Sequence, residues 1–169
     1  MLPQLKYRQG SIDDKPGLMA VGQLAFAQFR ELLLPEHWVS MNRFLQNEKM
    51  WDQLISNSSI FVCLAGQEIV GSAFLVAGGN PTHIYPVDWA YIRMVAVHPS
   101  HRGRGIARRL TQDCVNRARE TGEKIVGLHT SEKMKDAQHV YQSIGFRRDR
   151  EIDPIYGMRY WVYKLDLTS

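Results

Sequence analysis

Apolar residues recur at helical spacing in the first third of the chain, which predicts two helices there. The first begins at the acidic segment Asp13-Asp14-Lys15-Pro16, because an acidic cap and a proline in the first turn favour a helix start, and Pro35 ends it. Glu36-His37-Trp38 is then predicted to be a loop, and residues 41–55 a second helix. A short strand over residues 6–9 precedes both helices.

The rest of the chain alternates between short apolar runs and helical periods. A hairpin over residues 60–77 precedes a strand at 92–97, which leads into a helix ending at Thr121-Gly122. The remaining elements are a strand at 125–130, a helix at about 135–144, a strand from Phe146, turns at Asp153-Pro154 and Tyr156-Gly157, and a strand at 159–167. Because hairpins and crossovers alternate, this order predicts an α/β fold with a mixed sheet.

Residues 90–110 carry the most distinctive pattern. The strand breaks at His98-Pro99, because proline cannot continue a sheet ladder, and a basic loop at 100–105 opens an amphipathic helix. Four arginines crowd the positive end of the helix dipole, where each cation costs about 0.3–1 kcal/mol. They are Arg102, Arg104, Arg108 and Arg109.

This basic loop is predicted to bind a pyrophosphate. A polyanion would offset the crowded arginines, and Gly103 and Gly105 leave backbone N–H groups free to approach phosphate oxygens. A tight strand-to-helix turn with solvated arginines explains the glycines equally well, since an isolated Gly-x-Gly is a weak signal.

Composition narrows the class of protein. The chain has 169 residues, 44% of them hydrophobic, and a formal net charge of +4, which favours one domain over residues 1–169. It has no apolar run of about 18 residues and no charged-then-apolar leader, so we expect no membrane association and a cytoplasmic location. Cys63 and Cys114 are expected to be buried, reduced thiols.

Neither a metal nor nucleic acid is an expected ligand. His98 and His101 flank a proline turn rather than sharing a helix face, so their spacing does not indicate a metal site. The arginines concentrate around one loop, which favours a local anion site over a nucleic-acid-binding face.

Three segments, in order, resemble the GNAT superfamily of acetyl-CoA-dependent N-acetyltransferases. Residues 102–107 (RGRGIA) fit the family's Q/R-x-x-G-x-G/A pattern, Val95-Ala96-Val97-His98-Pro99 precedes it at the family's spacing, and residues 141–146 (YQSIGF) fit Y-x-x-x-G-F. The resemblance implies a mixed, mostly antiparallel sheet of six to seven strands with about four helices. In this fold the central parallel strands splay apart to admit acetyl-CoA as co-substrate.

The resemblance also assigns the cofactor contacts. Backbone groups of Val95 and Val97 would pair with the pantetheine arm, and Ala96 between them would also contact the cofactor. The loop and first helical turn would hold the pyrophosphate, through Arg102, Gly103, Arg104, Gly105, Ile106, Ala107 and Arg108.

Two residues are candidates for proton transfer. In the family, the tyrosine at the position of Tyr141 commonly points at the cofactor sulfur, so Tyr141 would protonate the leaving thiolate; the alternative is a core position facing the sheet. Some relatives carry a glutamate that acts as the general base at the position of Tyr91. Others carry such a glutamate on the fifth strand, where this chain has His129. His129 is therefore a candidate general base, and a bound water is the alternative.

The acceptor pocket is expected to be formed by the loop between the first two helices, the 78–88 loop and the final hairpin. Its candidate contacts are Trp38, Trp89, Tyr91, Tyr156 and Arg93, the last as a possible partner for an acceptor carboxylate. Small-molecule and peptide amines both fit. A homodimer formed by pairing of residues 160–167 is also an open prediction.

Rival functions are less well supported. A dinucleotide-binding turn would place glycine directly after the strand, whereas His98 to Arg102 intervene here, and Arg108 stands where a third glycine belongs. An acyl-CoA-binding module without catalysis stays open, although Tyr141 and the whole loop are present. Nucleic-acid binding would predict a steep salt dependence.

Overall fold

A single seven-stranded sheet organises the molecule. The structure, a computed structural model, describes residues 3–168. The strands are β1 (Leu5–Gln9), β2 (Ser58–Ala65), β3 (Glu68–Val76), β4 (Ala90–Val97), β5 (Ile125–Ser131), β6 (Arg147–Ile155) and β7 (Met158–Asp166), in the spatial order β1-β2-β3-β4-β5-β7-β6. The helices are α1 (Lys15–Phe26), α2 (Phe29–Leu32), α3 (Pro35–Gln46), α4 (Glu48–Ser56), α5 (Ile106–Glu120) and α6 (Lys135–Ile144).

The sheet is antiparallel except at its centre. β4 and β5 run parallel and pair only at Ala90–Val126 and Tyr91–Gly127, after which the two strands separate. All other neighbouring strands pair antiparallel. The predicted mixed, mostly antiparallel sheet with splayed central strands is therefore confirmed.

Helices cover both faces of the sheet. α5 packs its buried stripe, including Leu110, Cys114 and Ala118, on one face, while α1 and α4 cover the other. α5 lies close to β3 at Gly71, where the absence of a Cβ makes room for Ile106. A Cβ at Gly71 would fall 2.5 Å from Ile106 Cγ2. This close approach fixes where the first turn of α5 meets the sheet.

The helices before β2 differ from the prediction. Pro35 starts α3 rather than ending a helix, because proline suits the first helical turn, and Trp38 is therefore helical rather than in a loop. Residues 41–55 are not one helix either. Asn47 separates α3 from α4, and its side chain accepts from the backbone N–H groups of Lys49 and Met50.

The final hairpin also differs from the prediction. Asp153-Pro154 lies inside β6, at a register shift on the edge strand, where proline is tolerated, and the turn is at Tyr156-Gly157 alone. β7 lies between β5 and β6, so both of its edges are paired. Residues 160–167 therefore cannot join two subunits by strand pairing as predicted.

β4 contains a bulge that sequence reasoning did not predict. Met94 has a φ of 55°, which is uncommon for a residue with a Cβ, and the pairing with β3 shifts by one residue there. The bulge lies just beyond the last pair between β4 and β5, so it turns the strand where the sheet opens. Within residues 3–168, no helix has both the length and the apolar character needed to cross a membrane.

Candidate active site

Two cavities meet where β4 and β5 separate. The first, here called the loop groove, has a volume of about 540 Å³ and lies beside the first turn of α5 and the start of α6. The second, the aromatic cavity, has a volume of about 310 Å³ and lies towards α1 and α3. The residues that line both are Phe26, Val95, Met134 and Tyr141. Molecules in the two cavities can therefore meet at these side chains.

One wall of the loop groove is formed by the residues that lead into α5 and by its first turn. Gly103 and Gly105 have φ values of 77° and 75°, in the left-handed region that favours glycine. A Cβ at either position would meet no atom within 4 Å, so conformation rather than space accounts for these glycines. Gly105 precedes α5, and the first N–H groups of a helix have no acceptor within it. These groups can bind the oxygens of a pyrophosphate.

The arginines of the loop are largely engaged within the protein. Arg102 donates to the carbonyl of Ala25 at 3.1 Å, and Arg108 donates to Ser143 Oγ on α6. Both also line the loop groove, whereas Arg104 does not. Binding of a polyanion by these arginines stays a prediction, and the structure adds that Arg102 and Arg108 connect the loop to α1 and α6.

Hydrogen-bonded rings form much of the aromatic cavity. Tyr85 and Tyr91 stack with ring centroids 4.3 Å apart, and the Tyr91 hydroxyl donates to the carbonyl of Asn80 at 3.0 Å. The Tyr85 hydroxyl lies 2.6 Å from His129 Nδ1, and the His129 ring lies 5.7 Å from that of Tyr160. His129 is thus held in one orientation against the cavity.

The loop that carries Tyr85 is itself fixed. Thr82 Oγ1 accepts from the N–H groups of Ile84 and Tyr85 at 3.0 and 3.1 Å, and Arg150 on β6 donates to the carbonyl of Ile84. Sequence reasoning placed this segment in a loop without recognising Tyr85. Its polar turn residues gave no periodic signal that could have assigned a site residue.

Comparison with known proteins identifies the family. The family model described as the acetyltransferase (GNAT) family matches residues 24–146. The chain belongs to the GNAT acetyltransferase family. It is 31% identical over 97 residues to the probable N-acetyltransferase family 8 member 5 of Mus musculus. That match covers 56% of this chain and 41% of the mouse protein, so it takes in less than half of that relative.

Solved GNAT structures share the fold. The PaiA N-acetyltransferase of Thermoplasma acidophilum, in complex with coenzyme A, has a TM-score of 0.76 at 13% identity, covering 96% of this chain and 99% of that one. Arabidopsis thaliana NAA60, in complex with acetyl-CoA, has a TM-score of 0.75 at 14% identity, covering 98% and 100%. At these identities the likeness establishes the fold, which confirms the GNAT fold expected from the motifs.

Most of the residues predicted to contact the cofactor line the loop groove of this GNAT protein. They are Val95, Val97, Arg102, Gly103, Gly105, Ile106, Ala107 and Arg108. Ala96 and Arg104 do not line it. The Ala96 side chain is 2% exposed and points into the core on the α1 face, because alternate residues of a strand face opposite sides.

The residues predicted to contact the acceptor divide into two groups. Tyr91, Arg93 and Tyr156 line the aromatic cavity. Trp38 and Trp89 do not line this cavity, so the structure does not support them as acceptor contacts. Trp38 packs against the small core cluster around α3, and Trp89 is buried against Gly127 near the start of the β4–β5 pair.

The two predicted proton-transfer residues both reach the cavities. Tyr141 lines both, and burial raises its pKa, so the phenol keeps its proton at neutral pH. His129 lines the aromatic cavity. Burial, and then the positive charge of Arg93 and the neighbouring His83, lower its pKa from 6.5 to about 4. The imidazole is therefore neutral at physiological pH.

The depressed pKa of His129 predicts a pH-dependent stability. The unfolded chain binds a proton at His129 more readily than the folded protein does. The neutral imidazole's contribution to the free energy of unfolding is therefore complete above about pH 6.5 and is lost as the pH falls through about 4. The whole effect is about 3 kcal/mol. Urea unfolding should show it in the wild type and in His139→Gln, an exposed control, and not in His129→Gln. An equal pH dependence in all three proteins would contradict this assignment.

Proposed function

We propose that this GNAT protein is an N-acetyltransferase that moves the acetyl group of acetyl-CoA to a primary amine by direct attack in a ternary complex. The observation that carries the proposal is the meeting of two cavities at Tyr141, where β4 and β5 have separated. One cavity suits a phosphate-bearing co-substrate and the other a small acceptor. The coenzyme A and acetyl-CoA complexes of PaiA and NAA60 support the assignment of the co-substrate.

The chain offers main-chain groups for binding the co-substrate. Beyond Tyr91, the edge of β4 that faces β5 has no ladder partner among the described strands, so its N–H and C=O groups can pair with the pantetheine arm. The first-turn amides of α5 bind the pyrophosphate. A backbone N–H on bulged β4 can polarise the thioester carbonyl, and such a donor is worth about 3–4 kcal/mol in the transition state.

Tyr141 is the proposed general acid. As the amine nitrogen bonds to the acetyl carbon and the carbon–sulfur bond breaks, the phenol gives its proton to the leaving thiolate. Its hydroxyl makes no hydrogen bond with any side chain or main-chain group of residues 3–168. The proton is therefore not held by a competing acceptor within this part of the chain.

His129 is the proposed proton acceptor. When Nδ1–H is donated to the Tyr85 oxygen, Nε2 carries the lone pair. A weakly basic imidazole is a poor acceptor for a stable ammonium group. It suits a later step, in which the nitrogen has bonded to the acetyl carbon and become acidic. The acceptor amine must then enter unprotonated, and positioning supplies much of the rate enhancement.

The loop groove gives the first test. Gly105→Ala strains a left-handed residue beside the proposed pyrophosphate site and should weaken acetyl-CoA binding by roughly tenfold in calorimetry. Gly66→Ala is a matched control, since Gly66 also has a left-handed φ, 64°, but lies in the β2–β3 turn. Equal affinities in the two variants would contradict the site. If acetyl-CoA binds but no free thiol is released in the presence of any amine, the protein is a silent binding module.

Tyr141→Phe tests the general acid. The variant should lower kcat by roughly 10²- to 10⁴-fold, because the thiolate must then leave unprotonated, while the KM for acetyl-CoA stays nearly unchanged. Free thiol release measures both constants. Tyr7→Phe on β1, at a residue that lines neither cavity, is the control and should match the wild type. Unaltered turnover in Tyr141→Phe across the pH range would remove Tyr141 from the mechanism.

His129→Ala tests the proton acceptor. Because the imidazole is neutral above about pH 5, kcat/KM in the wild type should rise with pH as the acceptor amine deprotonates, with no imidazole step between about pH 5 and 9. The variant should have a lower kcat/KM throughout this range, and added imidazole should restore part of it. An unchanged level and profile would assign the proton to water instead.

A further inference from the structure

The aromatic cavity contains a cation without a counter-ion. Arg93 on β4 lines it, and the cavity wall built from residues 3–168 includes neither aspartate nor glutamate. The guanidinium makes no hydrogen bond or ion pair with the described part of the chain. The guanidinium lies over the Phe44 ring, whose centroid is 5.9 Å from Arg93 Cζ. A half-buried charge without a partner is unfavourable, so an anionic ligand would relieve it.

The field of Arg93 reaches several walls of this cavity. Its charge adds to the lowering of the His129 pKa, and it opposes the rise that burial causes in the pKa of Tyr85, Tyr91 and Tyr156. These residues come from the 82–85 loop, from both parted strands and from the final hairpin. The cavity as a whole is therefore positive, and a bound ammonium group would be disfavoured there.

A second unpaired polar group lies on the opposite strand. Thr130 on β5 is 3% exposed and lines the same cavity, and its Oγ1 has no hydrogen-bond partner in the described structure. A buried hydroxyl left without a partner costs roughly 1–3 kcal/mol. This hydroxyl is fully buried, so the guanidinium of Arg93 remains the group that offers paired donors to a carboxylate in the cavity.

The size and walls of the cavity limit the acceptor further. A volume of about 310 Å³ is at the small end for ligand sites, so it suits a small molecule rather than a long polymer. Apart from Arg93 and the histidines, the walls are mainly aromatic rings, aliphatic side chains and methionines, among them Phe44, Met41 and Tyr160. They suit an apolar or aromatic body.

We propose that the acceptor is a small amine that also carries a carboxylate and an apolar body, as in an apolar α-amino acid, with the carboxylate bound by Arg93. This inference rests on the proposed acetyl transfer and names its substrate class. Polyamines, aminoglycosides and lysine-rich peptides are disfavoured, because the cavity repels added positive charge and offers no carboxylate to pair with it. The same repulsion favours entry of the amine in its neutral, nucleophilic form.

Matched acceptors test the proposal. The twenty common L-amino acids are screened with acetyl-CoA, the reactive ones are compared with their carboxamides, and spermidine serves as the polycation. Rates are expressed per unprotonated amine, since amidation also lowers the pKa of the amine. The wild type should favour acid over amide by roughly 10- to 100-fold in kcat/KM, as expected for a charge-assisted contact in a partly buried site.

Three substitutions connect the preference to Arg93. Arg93→Gln should abolish the preference for acid over amide while leaving acetyl-CoA affinity unchanged, and the latter also reports that the variant is folded. Arg43→Gln removes an exposed arginine of α3 that does not line the cavity, and it should keep the preference. Arg93→Lys should keep part of it, because lysine retains the charge without the planar pair of donors.

The outcomes separate this inference from the proposed function. A best acceptor without an anionic group, or an equal preference in Arg93→Gln and the wild type, would overturn it. So would a failure of every carboxylate-bearing amine while acetyl-CoA still binds. Failure of acetyl-CoA itself to bind would instead overturn the proposed function, and the inference with it.

Discussion

The separation of β4 from β5 after only two paired residues is the constraint on which the site depends. A parallel pair at the centre of a sheet would normally continue, because unpaired buried main-chain groups cost roughly 1–3 kcal/mol each. Here the bulge at Met94 turns β4 away, while β5 stays paired with β7 along its other edge. Residues of α5 and α6 line the loop groove on one side of the gap, and residues of α1 and α3 line the aromatic cavity on the other. A co-substrate bound along β4 would supply the missing hydrogen bonds.

In the loop before α5, the main chain and the arginine side chains have different roles. Gly103 and Gly105 adopt left-handed conformations and line the groove together with the first turn of α5. Arg102 and Arg108 reach neighbouring elements, where they hold the loop against α1 and α6. Phosphate recognition can thus rely on amides whose positions are fixed by the fold, which requires no reorganisation of long side chains when the co-substrate enters.

More of the fold than of the candidate site could be predicted from the sequence. Periodicity located every strand and the two helices after β4, and three short motifs specified the family, because each reports local backbone requirements. Asn47 was missed as a helix boundary, since an N-cap in the middle of a continuous apolar stripe leaves the period unchanged. The bulge at Met94, the Tyr85–His129 contact and the unpaired state of Arg93 depend on which segments meet in space. A single sequence does not specify those contacts.

The charges around the gap favour one order of events. His129 is neutral, Tyr141 keeps its proton, and Arg93 makes the aromatic cavity positive. A carboxylate near the walls would stabilise an ammonium group, and a neutral polar pocket would admit either form of the amine. Under the proposed mechanism, this cavity instead favours binding of the unprotonated amine before acetyl transfer begins. Little basicity is then required of His129, because its proposed role is to accept a proton from nitrogen that has already bonded to the acetyl carbon. The low pKa that would disqualify an imidazole from deprotonating an ammonium group is compatible with that later role.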